Sequence, residues 1–106
     1  VVERSSTRFA LRWAEGDAPL VTTNDYRLLF PPQQREGGEI YQTACRRFEH
    51  LSQFFANHDP QRNVSDEELL YVLTDQQVRL AITAQHILMR PRTGQVAMYV
   101  PRKFVI

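Results

Sequence analysis

Residues Thr7 to Ala14 alternate: Phe9, Leu11 and Trp13 fall on one side of an extended chain, and Arg8, Ala10, Arg12 and Ala14 on the other. That period of two predicts a half-buried strand. Glu15-Gly16-Asp17-Ala18-Pro19 is turn chemistry, and Leu20–Thr23 then reads as the returning strand of an N-terminal hairpin. Over Asn24 to Phe30 the pattern fits either a short helix capped by Thr23 or a strand bulged at Asn24-Asp25. Pro31-Pro32 ends either version and opens a loop that runs to Gly38.

From Glu39 to His58 the period becomes helical. Ile40, Tyr41, Ala44, Phe48, Leu51, Phe54 and Phe55 recur three and four residues apart, with Arg46, Arg47, Glu49 and Gln53 on the other side. Such a stripe is a core face, and Asn57-His58-Asp59-Pro60 ends the helix. Two capping boxes follow, Ser65 three residues before Glu68 and Thr74 three before Gln77. The first predicts a short helix near Asp66 to Leu73, the second another near Asp75. Val78 to Met89 has two readings: alternation of Val78, Leu80, Ile82 and Ala84 as a strand, or Leu80, Ala84, Ile87 and Leu88 on one helix face. The cap at Thr74 tips the balance to a helix through about Gln85. His86–Arg90 and Gln95–Val100 are apolar runs joined by Pro91-Arg92-Thr93-Gly94, which predicts a C-terminal hairpin. Phe104-Val105-Ile106 adds a final short strand.

These elements define an α+β fold: an N-terminal β-hairpin, one long amphipathic helix, one or two short helices and a C-terminal β-hairpin. The hairpins are expected to pair into one antiparallel sheet covered by the long helix. The length of 106 residues suits a single domain, 1–106, able to bury a core. The chain lacks an initiator Met and is expected to be a fragment of a larger protein. Apolar and charged contents of 42% and 24% are ordinary for a globular protein. No apolar run approaches the roughly 20 residues that span a bilayer, so no membrane partner is expected. The lone Cys45 has no internal disulfide partner, which points to the cytoplasm or another reducing intracellular compartment.

Charge changes the picture more. The net charge is only +1, yet the last thirty-one residues, Gln76 to Ile106, hold five basic side chains and no acidic one. All twelve Asp and Glu lie at or before Asp75. A one-signed stretch is a footprint for an anionic partner. The order of long helix, short helix, second helix and basic hairpin resembles the winged-helix superfamily over roughly residues 39 to 101, although Tyr71-Val72-Leu73 stands where its tight turn usually has small residues and Gly. The resemblance implies a second helix presenting Gln76, Gln77 and Arg79 to base edges. It also implies a wing whose Arg90, Arg92 and Thr93 contact phosphates, with Arg102 and Lys103 behind.

Other chemistry is thinly represented. Cys45, His50, His58 and His86 lack metal-ligand spacing. Arg46 and Arg47 flank Cys45, but no Gly-rich loop stands beside it to hold an oxyanion. Glu67-Glu68 are adjacent and fit the first turn of a helix better than an acid–base pair. No catalytic residue, metal or cofactor is expected. The sequence therefore predicts a non-enzymatic binding domain that contacts nucleic acid through its basic C-terminal hairpin. The alternative is a protein–protein interaction or assembly domain, a homodimer or a partner for other regions of a larger protein, which the bulky apolar side chains and sheet edges would serve.

Overall fold

The computed structural model describes residues 1–24, 27–29 and 43–102. The expected helix start at Glu39, the loop from Pro31 to Gly38, Lys103 and the strand at Phe104–Ile106 lie outside the described residues. The chain falls into two compact units, Val1–Asn63 and Val64–Ile106. Helices and antiparallel hairpins make it α+β, with the hairpins in two separate two-stranded sheets rather than the one sheet expected.

In the N-terminal unit β1 (Val2–Arg4) pairs with β2 (Phe9–Leu11), in register Val2↔Leu11, Glu3↔Ala10 and Arg4↔Phe9. The Val1 amine donates to the Arg12 carbonyl, and the Arg12 N–H donates to the Val1 carbonyl, both at 2.8 Å, so the ladder reaches one pair further. The connection is held by Ser5, whose N–H donates to the Arg8 carbonyl at 2.8 Å. Its Oγ accepts from the Thr7 and Arg8 N–H groups at 3.3 and 3.0 Å. The expected partner, Leu20–Thr23, forms no strand. Its polar groups are engaged elsewhere: the Val21 carbonyl accepts from Arg12 Nη1 at 3.0 Å, and the Thr23 hydroxyl donates to the Ala44 carbonyl at 2.9 Å.

The period-two signal is real, but the buried face is the opposite of the one it suggested. Phe9, Leu11 and Trp13 are exposed, whereas Glu3 is only 4% exposed and Ala10 and Arg12 are half-buried. A polar network explains the inversion. The Glu3 carboxylate accepts the N–H groups of Arg27 and Leu28, the latter at 2.7 Å, and ion-pairs with Arg12 at 3.7 Å. The guanidiniums of Arg27 and Arg12 lie over the Phe48 ring, 3.9 and 5.7 Å from its centroid. Buried charge is tolerated where it is paired and hydrogen-bonded, and guanidinium planes pack well on aromatic faces.

α1 (Ala44–Ala56) carries Phe48 and buries Ala44, Arg47 and Leu51, a stripe at helical spacing. Arg47 was expected on the solvent side. Instead its Nε donates to Thr43 Oγ1 at 3.3 Å and Nη2 to Asn24 Oδ1 at 3.1 Å, which satisfies the head while the stem packs. Phe54 and Phe55 are half-buried and meet edge to face at 5.1 Å.

In the C-terminal unit α2 (Asp66–Thr74) starts at the expected capping box. Ser65 Oγ accepts the Glu68 N–H at 3.1 Å, and the Glu68 carboxylate accepts the Ser65 N–H at 2.8 Å. Of the one or two short helices expected, this one forms; the stretch from Asp75 to Gln85 is a series of turns. The second box fails because Thr74 is the last residue of α2 and its hydroxyl donates back to the Leu70 carbonyl at 2.6 Å. Asp75 takes over with ψ at 137°, its carboxylate accepting the Gln77 N–H at 2.8 Å. The β-branched Val78, Ile82 and Thr83 then weaken helix propagation, and Thr83 closes a turn by accepting the Leu80 N–H at 3.0 Å.

β3 (His86–Arg90) and β4 (Gln95–Tyr99) pair antiparallel from His86↔Tyr99 to Arg90↔Gln95, as the sequence suggested. The Arg90 carbonyl accepts the Thr93 and Gly94 N–H groups at 3.1 and 2.9 Å, and Gly94 has φ of 72°. That left-handed position is why Gly closes this loop. α2 packs on β3, with Val72 fully buried. No helix among the described residues is long and apolar enough to cross a membrane.

Candidate nucleic-acid interface and the hairpin that carries it

The expected contact residues gather at two places. Arg90, Arg92 and Thr93 sit together at the hairpin tip. The Arg92 side chain is exposed, and the Thr93 hydroxyl bonds the Arg90 carbonyl at 3.4 Å and Gln95 Oε1 at 3.3 Å. Gln76, Gln77 and Arg79 are exposed in the turns after α2, and Arg102 is exposed beyond β4. Lys103 lies outside the described residues.

Two contacts fix how these groups relate. Arg90 Nη2 pairs with Asp66 at the first turn of α2. The His86 ring Nε2 donates to the Leu73 carbonyl near the last turn, at 3.1 Å. The helix therefore runs alongside β3, with its N-terminus at the hairpin tip and its C-terminus at the open end. At 1.5 Å per residue its nine residues separate the two ends by about 12 Å. Gln76, Gln77, Arg79 and Arg102 belong to the open end, away from Arg90, Arg92 and Thr93. The helix expected to carry Gln76, Gln77 and Arg79 into a groove is replaced by the Asp75 turn.

The electrostatics are also less one-signed than the linear sequence. Asp66, Glu67 and Glu68 occupy the first turn of α2, where the helix dipole favours them, and this turn lies beside Arg90. Asp75 stands among Gln76, Gln77 and Arg79. The acidic residues precede the basic stretch in sequence, but the fold returns the two to each other.

The register uncovers a feature that the sequence did not resolve. His86, Leu88 and Ala97 are half-buried on the face that meets α2, while the opposite face carries the cross-strand pairs Ile87↔Met98 and Met89↔Val96. All four of those side chains are exposed. The run Ile87-Leu88-Met89 is apolar at every position, and such a run does not reveal which face is covered.

Cys45 is half-buried. Its sulfur accepts from Arg27 Nη1 at 3.6 Å and lies 3.5 Å from Glu49 Oε1. Arg47, expected beside the thiol, is turned to Thr43 and Asn24 instead. Among the described residues no group of three or more His, Cys, Asp or Glu is arranged to hold a metal ion. Comparison with known protein families, with curated proteins and with solved structures finds no match for this chain.

Proposed function

We propose that this chain is a non-enzymatic assembly domain that pairs with a second copy of itself through the outer face of the β3–β4 hairpin. The carrying observation is that every outward position in the middle of this hairpin, Ile87, Met89, Val96 and Met98, is apolar and exposed. A contiguous exposed apolar patch marks an interaction surface. The patch carries no charge of its own, so two copies can meet by a two-fold axis without like-charge repulsion. Four side chains make a small contact, so association is looked for at micromolar concentration.

Sedimentation velocity over about 1 to 100 µM tests this. The wild type should sediment faster as concentration rises, and the Val96→Glu/Met98→Glu double variant should stay monomeric. A wild type that remains monomeric across the range overturns the reading.

The second reading is nucleic-acid contact by the basic stretch, favoured by the exposed Arg92 at the hairpin tip and the exposed Arg79 and Arg102 at the open end. Anisotropy of labelled single- and double-stranded oligonucleotides at about 50 and 200 mM salt checks it, since phosphate contacts weaken steeply over that range. On this reading Arg92→Ala loses more affinity than Arg90→Ala, because Arg90 is already paired with Asp66.

A further inference from the structure

The chain has two methionines, Met89 and Met98, and both lie on the outer face of the β3–β4 hairpin. They are 66% and 60% exposed. The register pairs Met89 with Val96 and Met98 with Ile87, so the thioethers occupy diagonal corners of one patch whose other corners are exposed aliphatic side chains. The remaining sulfur of the chain is placed differently: Cys45 is half-buried, with its Sγ beside Arg27 Nη1 and Glu49 Oε1. The hairpin is anchored by its opposite face, where Leu88 and Ala97 are half-buried and the His86 ring bonds the Leu73 carbonyl at 3.1 Å. Chemistry at the two thioethers therefore alters the surface and leaves the packing on α2 in place.

From this placement we infer that Met89 and Met98 form an oxidative modification site, at which a hydroperoxide converts the outer face of the hairpin from apolar to polar. As regulation of assembly, the inference rests on the self-pairing proposed above. A thioether is soft and polarisable, and an exposed one is readily oxidised. A sulfur lone pair attacks one oxygen of hydrogen peroxide, and the S–O bond forms as the O–O bond breaks. The other oxygen leaves as water, taking the proton of the transferred one. Sulfur loses two electrons and the peroxide gains them. The product, methionine sulfoxide, is a polar, chiral group in place of a flexible apolar one. Pairing of two oxidised copies would bury four sulfoxides, two from each, and Ile87 and Val96 offer them no hydrogen-bond donor. Oxidation therefore separates the copies. Sulfoxide reductases reverse the step: a dithiol supplies two electrons and becomes a disulfide, and the oxygen leaves as water.

Treatment of the whole chain with hydrogen peroxide, followed by peptide mass spectrometry and sedimentation velocity, tests this. In dilute protein Met89 and Met98 should each gain one oxygen, at a rate within about threefold of N-acetylmethionine. The oxidised chain should associate at least about tenfold more weakly than the untreated one. Incubation with the two reductases, one for each sulfoxide epimer, should restore association. Met89→Leu/Met98→Leu keeps the face apolar and should associate with or without peroxide, while Cys45→Ser should respond to peroxide as the wild type does. Retention on a hydrophobic column reads the face without any need for pairing. It should fall on oxidation of the wild type and hold in the Leu variant. Oxidation more than about thirtyfold slower than that of N-acetylmethionine, or equal retention before and after it, would overturn the modification site. Unchanged association of an oxidised chain that pairs when untreated would overturn its control of assembly. An untreated wild type that stays monomeric overturns the assembly reading and that control with it, while the column decides the modification site on its own.

Discussion

Glu3 shows how much one residue decides in a small unit. Its carboxylate takes two backbone N–H groups and ion-pairs at 3.7 Å with a half-buried guanidinium whose buried Nε makes no hydrogen bond among the described residues. Removing a buried acceptor leaves its donors unsatisfied, at about 1–3 kcal/mol each group. Glu3→Ala should therefore destabilise the N-terminal unit by at least about 2 kcal/mol, read as a lower urea midpoint by Trp13 fluorescence. Glu3→Gln, which keeps one acceptor oxygen, should recover part of it, and an unchanged midpoint in Glu3→Ala would sink this account. The residue was not legible as buried, because its backbone partners lie 24 and 25 residues away and nothing local announces them. The same holds for Arg47 and for the pairing of Arg90 with Asp66, which only the fold brings together. Arg92 and Thr93 were legible at the tip because turn chemistry is a local property. Exposure of Phe9 and Trp13 was not, since the alternation gives two faces without saying which is wet.

Among the elements, those set by local rules appear where the sequence places them. The Pro91–Gly94 loop fixes the β3–β4 register to the residue, and the Ser65 box starts α2. The Thr74 box carries the same signature and starts nothing, because its hydroxyl is already spent on the preceding turn. A cap signature is thus only as good as the freedom of its hydroxyl. Ser65→Ala should cost the C-terminal unit about 1 kcal/mol, measured by urea denaturation followed by far-ultraviolet circular dichroism, while Thr74→Ala should cost clearly less. Equal losses would show that Thr74 does cap a helix start. Gly94→Ala meets no neighbour within 4 Å, so its cost comes from backbone strain alone at φ of 72°. About 1 kcal/mol is expected in the same assay, and the hairpin face it supports should associate less readily in sedimentation.

At the scale of the whole molecule, charge separates the two readings of the C-terminal hairpin. The chain carries a net charge of only +1. Val64–Ile106 holds five basic and four acidic residues, and Val1–Asn63 holds eight of each, so neither unit has a strong field of one sign. The basic run in the linear sequence is largely answered by Asp66, Glu67, Glu68 and Asp75 in its own unit. Proteins this close to neutrality have little long-range repulsion to oppose association. An apolar contact between two copies has no ions to screen and no counterions to release, unlike a phosphate contact. Self-association should therefore hold steady between about 50 and 200 mM sodium chloride, and it should strengthen in sodium sulfate, which favours burial of apolar surface. Sedimentation equilibrium at three salt conditions measures this directly. Dissociation on adding salt would mean that the copies meet through charges, and would move the interface from the Ile87, Met89, Val96 and Met98 face to Arg92 and the acidic first turn of α2.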